Sequence, residues 1–166
     1  MKILVAGIGN IFLGDDGFGV EVVGRMDGRA LPDGVSVADY GIRGVHLAYE
    51  LLDGYDALIL IDAMPMGQAP GTVAIFEPDL LAGVDGDDGP GPAMDAHSMS
   101  PAVVVATLAS LGGEVGRVLV VGCEPSVIEE GIGLSAPVSA AVDSAVEAVH
   151  AALTELGVPS EERSRA

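Results

Sequence analysis

The sequence predicts an α/β protein, a three-layer sandwich in which a mostly parallel twisted sheet of about five strands is flanked by helices. Three observations carry that expectation. Short continuous apolar runs, of which residues 2–6 and 56–63 are the clearest, have the pattern of strands buried on both faces. Between such runs stand segments whose apolar residues recur at helical spacing, as parallel crossovers require. Glycines and carboxylates gather where strands end, above all in residues 7–20.

Residues 2–6 form the first strand, after which Gly7 and Gly9 let the backbone turn tightly or let another segment approach it. Phe18, Val22 and Met26, with Val23 beside them, give one apolar face to a helix from Gly17 to about Met26. Asp15 and Asp16 then stand at its N-terminus. An aspartate there satisfies orphan backbone N–H groups as a cap. Alternatively one caps while the other points outward from the C-terminal end of a strand, where open α/β sheets place their ligands. Residues 35–40 read as strand two, followed by the loop Gly41-Ile42-Arg43-Gly44 and a helix over 45–52. Strand three, 56–63, carries Asp62 near its end. Pro70-Gly71 marks a turn before a fourth strand over 72–76. Too few residues separate Asp62 from Thr72 for a helical crossover, so strands three and four are antiparallel neighbours or the fourth lies at an edge.

In residues 83–96 glycines are interleaved with Asp and Pro, the composition of a mobile loop. Within it Asp85-Gly86-Asp87-Asp88-Gly89 lacks the spacing and closing glutamate of an EF-hand, so it reads as solvated linker. Ser100 before Pro101 suits the N-cap and first position of a helix running to about Leu111. A strand over 117–122 leads through Cys123 and Glu124-Pro125-Ser126 into a turn at Gly131 and Gly133. Val138, Val142, Ala145, Val146, Val149 and Leu153 stripe one long final helix, and residues 159–166 read as a frayed tail. No repeat or second domain interrupts 1–166, so a single domain is expected.

The chain is 49% hydrophobic over 166 residues, enough for one sizeable core. No apolar run is long enough to span a bilayer and the N-terminus reads as a strand, which implies a cytoplasmic protein without membrane contact. With 25 acidic against 7 basic residues, the net charge of −18 repels nucleic acid and anionic lipid and favours a monomer. The lone Cys123 excludes an internal disulfide or a CxxC motif and reads as a small, partly buried side chain. No Ser, Cys or Thr stands in a nucleophile motif such as G-x-S-x-G.

On this scaffold Asp15 and Asp16 follow strand one, Asp62 ends strand three, and His97 introduces a helix from which it can reach the same edge. Two carboxylates and an imidazole suit a borderline divalent metal and leave coordination positions open. The same carboxylates could instead share a proton as an acid/base couple. Asp39 also ends a strand and either lines the cleft or caps the following turn. His46 lies early in helix two near the same edge, as a substrate contact or as a partly exposed surface histidine. Glu124 and Pro125 would shape the rim. Met64 and Met66 pack on substrate or fill a loop, and His150 is solvated. Gly7-x-Gly9 hints at a nucleotide site, but Phe12 stands in place of the third glycine and the two aspartates would repel a pyrophosphate.

Taken in order, the blocks Gly7-Ile8-Gly9-Asn10, Gly14-Asp15-Asp16-Gly17-Phe18-Gly19, Ile61-Asp62-Ala63, Asp95-Ala96-His97-Ser98 and Gly122-Cys123-Glu124-Pro125 resemble the nickel-iron hydrogenase maturation endopeptidases. The resemblance runs from Met1 to about Leu156. It implies a protease that removes a C-terminal extension from a nickel-iron (NiFe) hydrogenase large-subunit precursor once nickel is inserted, with that nickel as the recognition signal. The family's metal contacts fall on Asp16, Asp62 and His97, with Asp16 and Asp62 as the catalytic carboxylates. The nickel would come with the precursor rather than be stored. A family segment of the form Asp-Gly-Gly-Thr falls on residues 39–44, from which Tyr40 and Ile42 depart; Asp39 and Gly41 are candidate substrate contacts there, with His46 beside them by its place early in helix two. Both metal-assisted and aspartic-type chemistry are compatible with this set. The alternative is a nickel chaperone or docking protein for hydrogenase assembly that uses the same ligands without hydrolysis.

Overall fold

A computed structural model describes residues 1–27, 30–78 and 101–158. The strands are β1 (Ile3–Ile8), β2 (Val35–Gly41), β3 (Tyr55–Ala63), β4 (Val73–Phe76) and β5 (Val115–Cys123). The helices are α1 (Phe18–Met26), α2 (Gly44–Leu51), α3 (Pro101–Ser110), α4 (Ala136–Ala140) and α5 (Val142–Glu155). They form one five-stranded sheet in the order β2-β1-β3-β5-β4, parallel except for β4, which runs antiparallel to β5.

Continuous apolar strands are the expected solution where both faces are covered. Ile3, Val5, Ile59, Ile61, Leu119 and Val121 point to one side and meet Phe18, Val22 and Met26 of α1 with Val142, Val146 and Val149 of α5. Leu4, Ala6, Leu58, Leu60, Val118 and Val120 point to the other, against Leu47 and Leu51 of α2 and Val104 and Leu108 of α3. Alternate residues of each strand therefore feed two separate cores.

Of the two positions open to the fourth strand, the edge is correct, and its partner is β5 rather than β3. The β3–β4 connection explains this by crossing the end of β5. Met64 N–H donates to Cys123 O (2.9 Å), Gly71 N–H to Glu124 O (2.8 Å), and Glu124 N–H to Thr72 O (2.9 Å). The chain is thus carried over β5 before it turns back.

The expected single final helix is two. Ala141 N–H closes onto Val138 O (3.0 Å), an i→i+3 bond that tightens the backbone between α4 and α5 without moving the apolar stripe off the core. The expected loop 83–96, the capping Ser100, His97 and the tail 159–166 lie outside the described residues. Among the described residues no helix is long and apolar enough to cross a membrane.

Candidate active site

The strand order creates a crevice between β1 and β3. The chain leaves β1 through α1 to reach β2 on one side, then crosses through α2 to β3 on the other, so connections diverge where the C-terminal ends of β1 and β3 meet. Gly7 pairs with Ile61 in register, which brings Asp62 beside Ile8 at this point. The turn after β1 closes over the same place. Gly19 allows α1 to lie against it: a Cβ there would stand 2.1 Å from Ile61 O and 2.5 Å from Ile8 O. Gly9, with φ of +130°, brings the turn so close that a Cβ would stand 1.9 Å from Asp16 O.

Asp15 and Asp16 lie on a 3-10 turn, Gly14–Gly17, that leads into α1. Successive side chains of such a turn diverge by about 120°, so the two carboxylates face different ways. Asp15 is fully buried. Its Oδ2 accepts from Ser126 N–H, Val127 N–H and Ser135 Oγ–H, each at 2.8 Å, and its Oδ1 from Ser135 N–H at 2.7 Å. Burial pushes this carboxyl up, but the bonds from Val127, Ser135 and Ser126 outweigh it and hold it below its ordinary value. Asp15 thereby fastens the β5–α4 loop to the turn after β1. Asp16 instead accepts from Asn10 N–H (2.8 Å) at the crevice. The expectation of an aspartate cap is corrected: Gly17 is the N-cap of α1, and no side chain caps it. The 3-10 turn supplies the entry instead, with Phe18 N–H bonded to Asp15 O.

Asp62 is only partly exposed at the end of β3. Burial, and then the charge of Asp16, push its carboxyl well above the ordinary carboxylate value, against a smaller opposing effect of the Ala63 N–H. Two carboxylates in one crevice with one resisting ionisation can do either of two things. They can share a proton as an acid/base couple, or they can accept a cation that relieves the repulsion. Among the described residues no group of three His, Cys, Asp or Glu side chains is placed to hold a metal ion.

Asp39 and Gly41 lie next to this crevice. Asp39 Oδ1 accepts from Gly41 N–H (2.8 Å), and Gly9 N–H donates to Gly41 O (2.9 Å), tying the β1 and β2 turns together. Both residues line a cleft of about 290 Å³ with Gly9, Asn10, Ile11, Phe12, Val20, Ile42 and Arg43, so Asp39 both caps its turn and faces the cleft. His46 is exposed in the first turn of α2 and is not among the lining residues. The Glu124 carboxylate accepts from Met66 N–H and pins the β3–β4 loop. Met64 packs with the α2–α3 core, 3.1 Å from where a Cβ on Gly122 would be, and is filler. His150 is exposed on α5.

Cys123 is fully buried, more than the sequence suggested. Burial, with the charges of Asp15 and Glu124, pushes its thiol up to about 11. A thiol held protonated at neutral pH is a poor nucleophile. Ellman's reagent at pH 8 is expected to leave the native protein unlabelled and to titrate one thiol after unfolding in urea; rapid labelling of the native protein would overturn this.

Sequence reasoning missed the fastening role of Asp15 and assigned nothing to Arg43. The adjacent Asp15 and Asp16 were a usable signal, because neighbouring side chains on a 3-10 turn diverge by about 120° and readily take different partners.

A family model described as hydrogenase maturation protease matches residues 20–152. The chain is 35% identical over 165 residues to the hydrogenase 2 maturation protease of Escherichia coli, covering 95% of this chain and 94% of that protein. It is also 35% identical over 159 residues to a hydrogenase expression/formation protein of Azotobacter chroococcum, covering 95% and 74%. Among solved structures, a hydrogenase maturating endopeptidase from E. coli superposes with a TM-score of 0.79 at 35% identity, covering both chains completely.

Proposed function

Because this chain belongs to the hydrogenase maturation protease family, a family of peptide-bond hydrolases, we propose that it removes the C-terminal extension of a nickel-loaded hydrogenase large-subunit precursor and reads the precursor's nickel through Asp16, Asp62 and His97. The observation that carries this reading is the opposed pair at the switch point, with Asp62 resisting ionisation beside Asp16. A pair so arranged gains most from a cation brought to it. In this reading nickel is part of the substrate. A loaded precursor supplies the charge that lets both carboxylates ionise, whereas an empty precursor leaves them facing each other, so the pair discriminates between the two.

The chemistry follows from that docking. Asp16, Asp62 and His97 would hold the precursor's ion, which would supply polarisation of the scissile carbonyl or an acidified water. A neighbouring carboxylate takes the proton as the water oxygen attacks the carbonyl carbon. The C–N bond then breaks, and the proton passes to the departing amine. The raised Asp62 also favours a second scheme, in which Asp62 as the acid and Asp16 as the base act as an aspartic-type pair. The enzyme works as a cytoplasmic monomer in this reading, in keeping with its charge of −18.

The test is to mix the purified protein with nickel-loaded and nickel-free large-subunit precursor and weigh the products by mass spectrometry. Loss of a C-terminal peptide from the loaded precursor alone is expected. Equal cutting of both removes nickel recognition and leaves the aspartic scheme. A stable complex without cutting makes the protein a chaperone.

A further inference from the structure

We propose that Arg43 is a specificity-determining anchor for a carboxylate of the precursor's C-terminal tail, bound in the cleft between the β1 and β2 turns. This rests on the endopeptidase reading above. The described residues hold four basic side chains, Lys2, Arg25, Arg43 and Arg117. Arg25 pairs with Asp143 (2.6 Å), and Arg117 with Glu77 (2.5 Å) and Glu155 (3.7 Å). The Lys2 ammonium lies over the Tyr55 ring, 4.3 Å from its centre, at the N-terminal ends of β1 and β3. Arg43 alone of these lines the cleft next to the crevice, and none of the described carboxylates forms an ion pair with it.

Its guanidinium is nevertheless held in place. Nε donates to Tyr40 O (3.2 Å) and Nη2 to Asp39 O (2.8 Å), both main-chain carbonyls, which orient the fork without neutralising it. The Asp39 carboxylate is turned to Gly41 N–H instead. In a chain with 25 acidic and 7 basic residues a partner for an arginine is easily found, so a pre-oriented guanidinium with no carboxylate partner among the described residues is placed for an anion from outside. Exposed Ile11, Phe12 and Ile42 flank it in the same cleft. That surface fits an extended peptide with an apolar side chain beside a carboxylate. The Asp16–Asp62 pair repels such a carboxylate, so Arg43 also sets which way along the cleft the tail can lie.

Two sources supply the same chemistry, an acidic side chain of the tail or its terminal carboxylate. Steady-state cleavage of the loaded precursor is measured for the parent, Arg43→Gln and Arg43→Lys. Arg43→Gln is expected to raise KM about tenfold with kcat within about twofold of the parent, and Arg43→Lys to recover part of the loss. The parent's KM rises with ionic strength and that of Arg43→Gln does not. Precursors carrying each tail acid as its amide, and one with an amidated C-terminus, are then tested on both proteins. One of them reproduces the KM rise on the parent and adds nothing on Arg43→Gln, and that one names the source. An unchanged KM for Arg43→Gln, a loss confined to kcat, or a rise that no altered tail reproduces overturns the anchor while the endopeptidase stands. A parent that cuts nothing overturns both.

Discussion

Asp62→Asn is expected to fold, to melt at a higher temperature than the parent at neutral pH, and to leave the loaded precursor uncut. The amide keeps the shape of the side chain and discards its charge. Burial and the Asp16 carboxylate raise the folded-state pKa of Asp62 well above its unfolded value. A carboxyl of that kind contributes its full stability below the unfolded pKa and loses it as pH rises through the folded one. Above the unfolded carboxylate value the folded parent therefore carries a cost that the asparagine does not, and that cost is present at neutral pH. The difference in Tm is expected to shrink as the pH is lowered through the folded pKa and to vanish near pH 4, where the parent's Asp62 is neutral as well. Loss of cutting is expected on the order of a thousandfold, as for a general acid or base in direct contact with the reaction. Calorimetry from pH 4 to 8 and mass spectrometry of the precursor check both halves. A folded variant that still cuts removes Asp62 from the chemistry, and one that melts below the parent removes the repulsion argued for the crevice.

Asp15→Ala acts in the opposite sense. Removal of the buried carboxylate leaves the N–H groups of Ser126, Val127 and Ser135 without their acceptor. The expected cost is about 4 kcal/mol, since buried donors that lose a charged partner forfeit their full desolvation. For a chain of this size that corresponds to a fall in Tm of roughly 10 °C. The pH dependence is also inverted relative to Asp62. The folded-state pKa of Asp15 is lowered, so its contribution is present above the unfolded carboxylate value and is lost as pH falls through the folded one. The parent should weaken with acid below about pH 4, and Asp15→Ala should lack that part of the acid limb. Urea unfolding followed by circular dichroism at pH 7 and pH 3 measures both. Equal loss of stability at the two pH values would show that the side chain acts through packing and not through its charge.

Much of the architecture was legible because it rests on local rules. Continuous apolar runs predicted strands covered on both faces, and β1 and β3 are such strands. The spacing of Phe18, Val22 and Met26 predicted α1, whose buried residues include all three. Asp62 could be placed at a strand end because the run 56–63 stops there. The short connection after it allowed an edge position for β4, but its pairing with β5 depends on hydrogen bonds to Cys123 and Glu124, some 50 residues further on. Periodicity carries no record of such partners. The break at Ala141 was invisible for a similar reason, because the apolar stripe continues across it.

The sequence by itself determined the order of the main strands and helices, the turn that follows β1 with Asp16 in it, and the presence of Asp62 at the end of β3. These follow from backbone preference and burial pattern, which act over a few residues. Only the tertiary structure decided that Asp15 turns inward to a loop more than 110 residues away while Asp16 turns to Asn10. It also decided that Asp62 resists ionisation and that Arg43 faces the cleft held by two carbonyls. A side chain's direction, its pKa and its pairing are set by what distant segments bring within about 4 Å of it, and that distance has no counterpart along the chain.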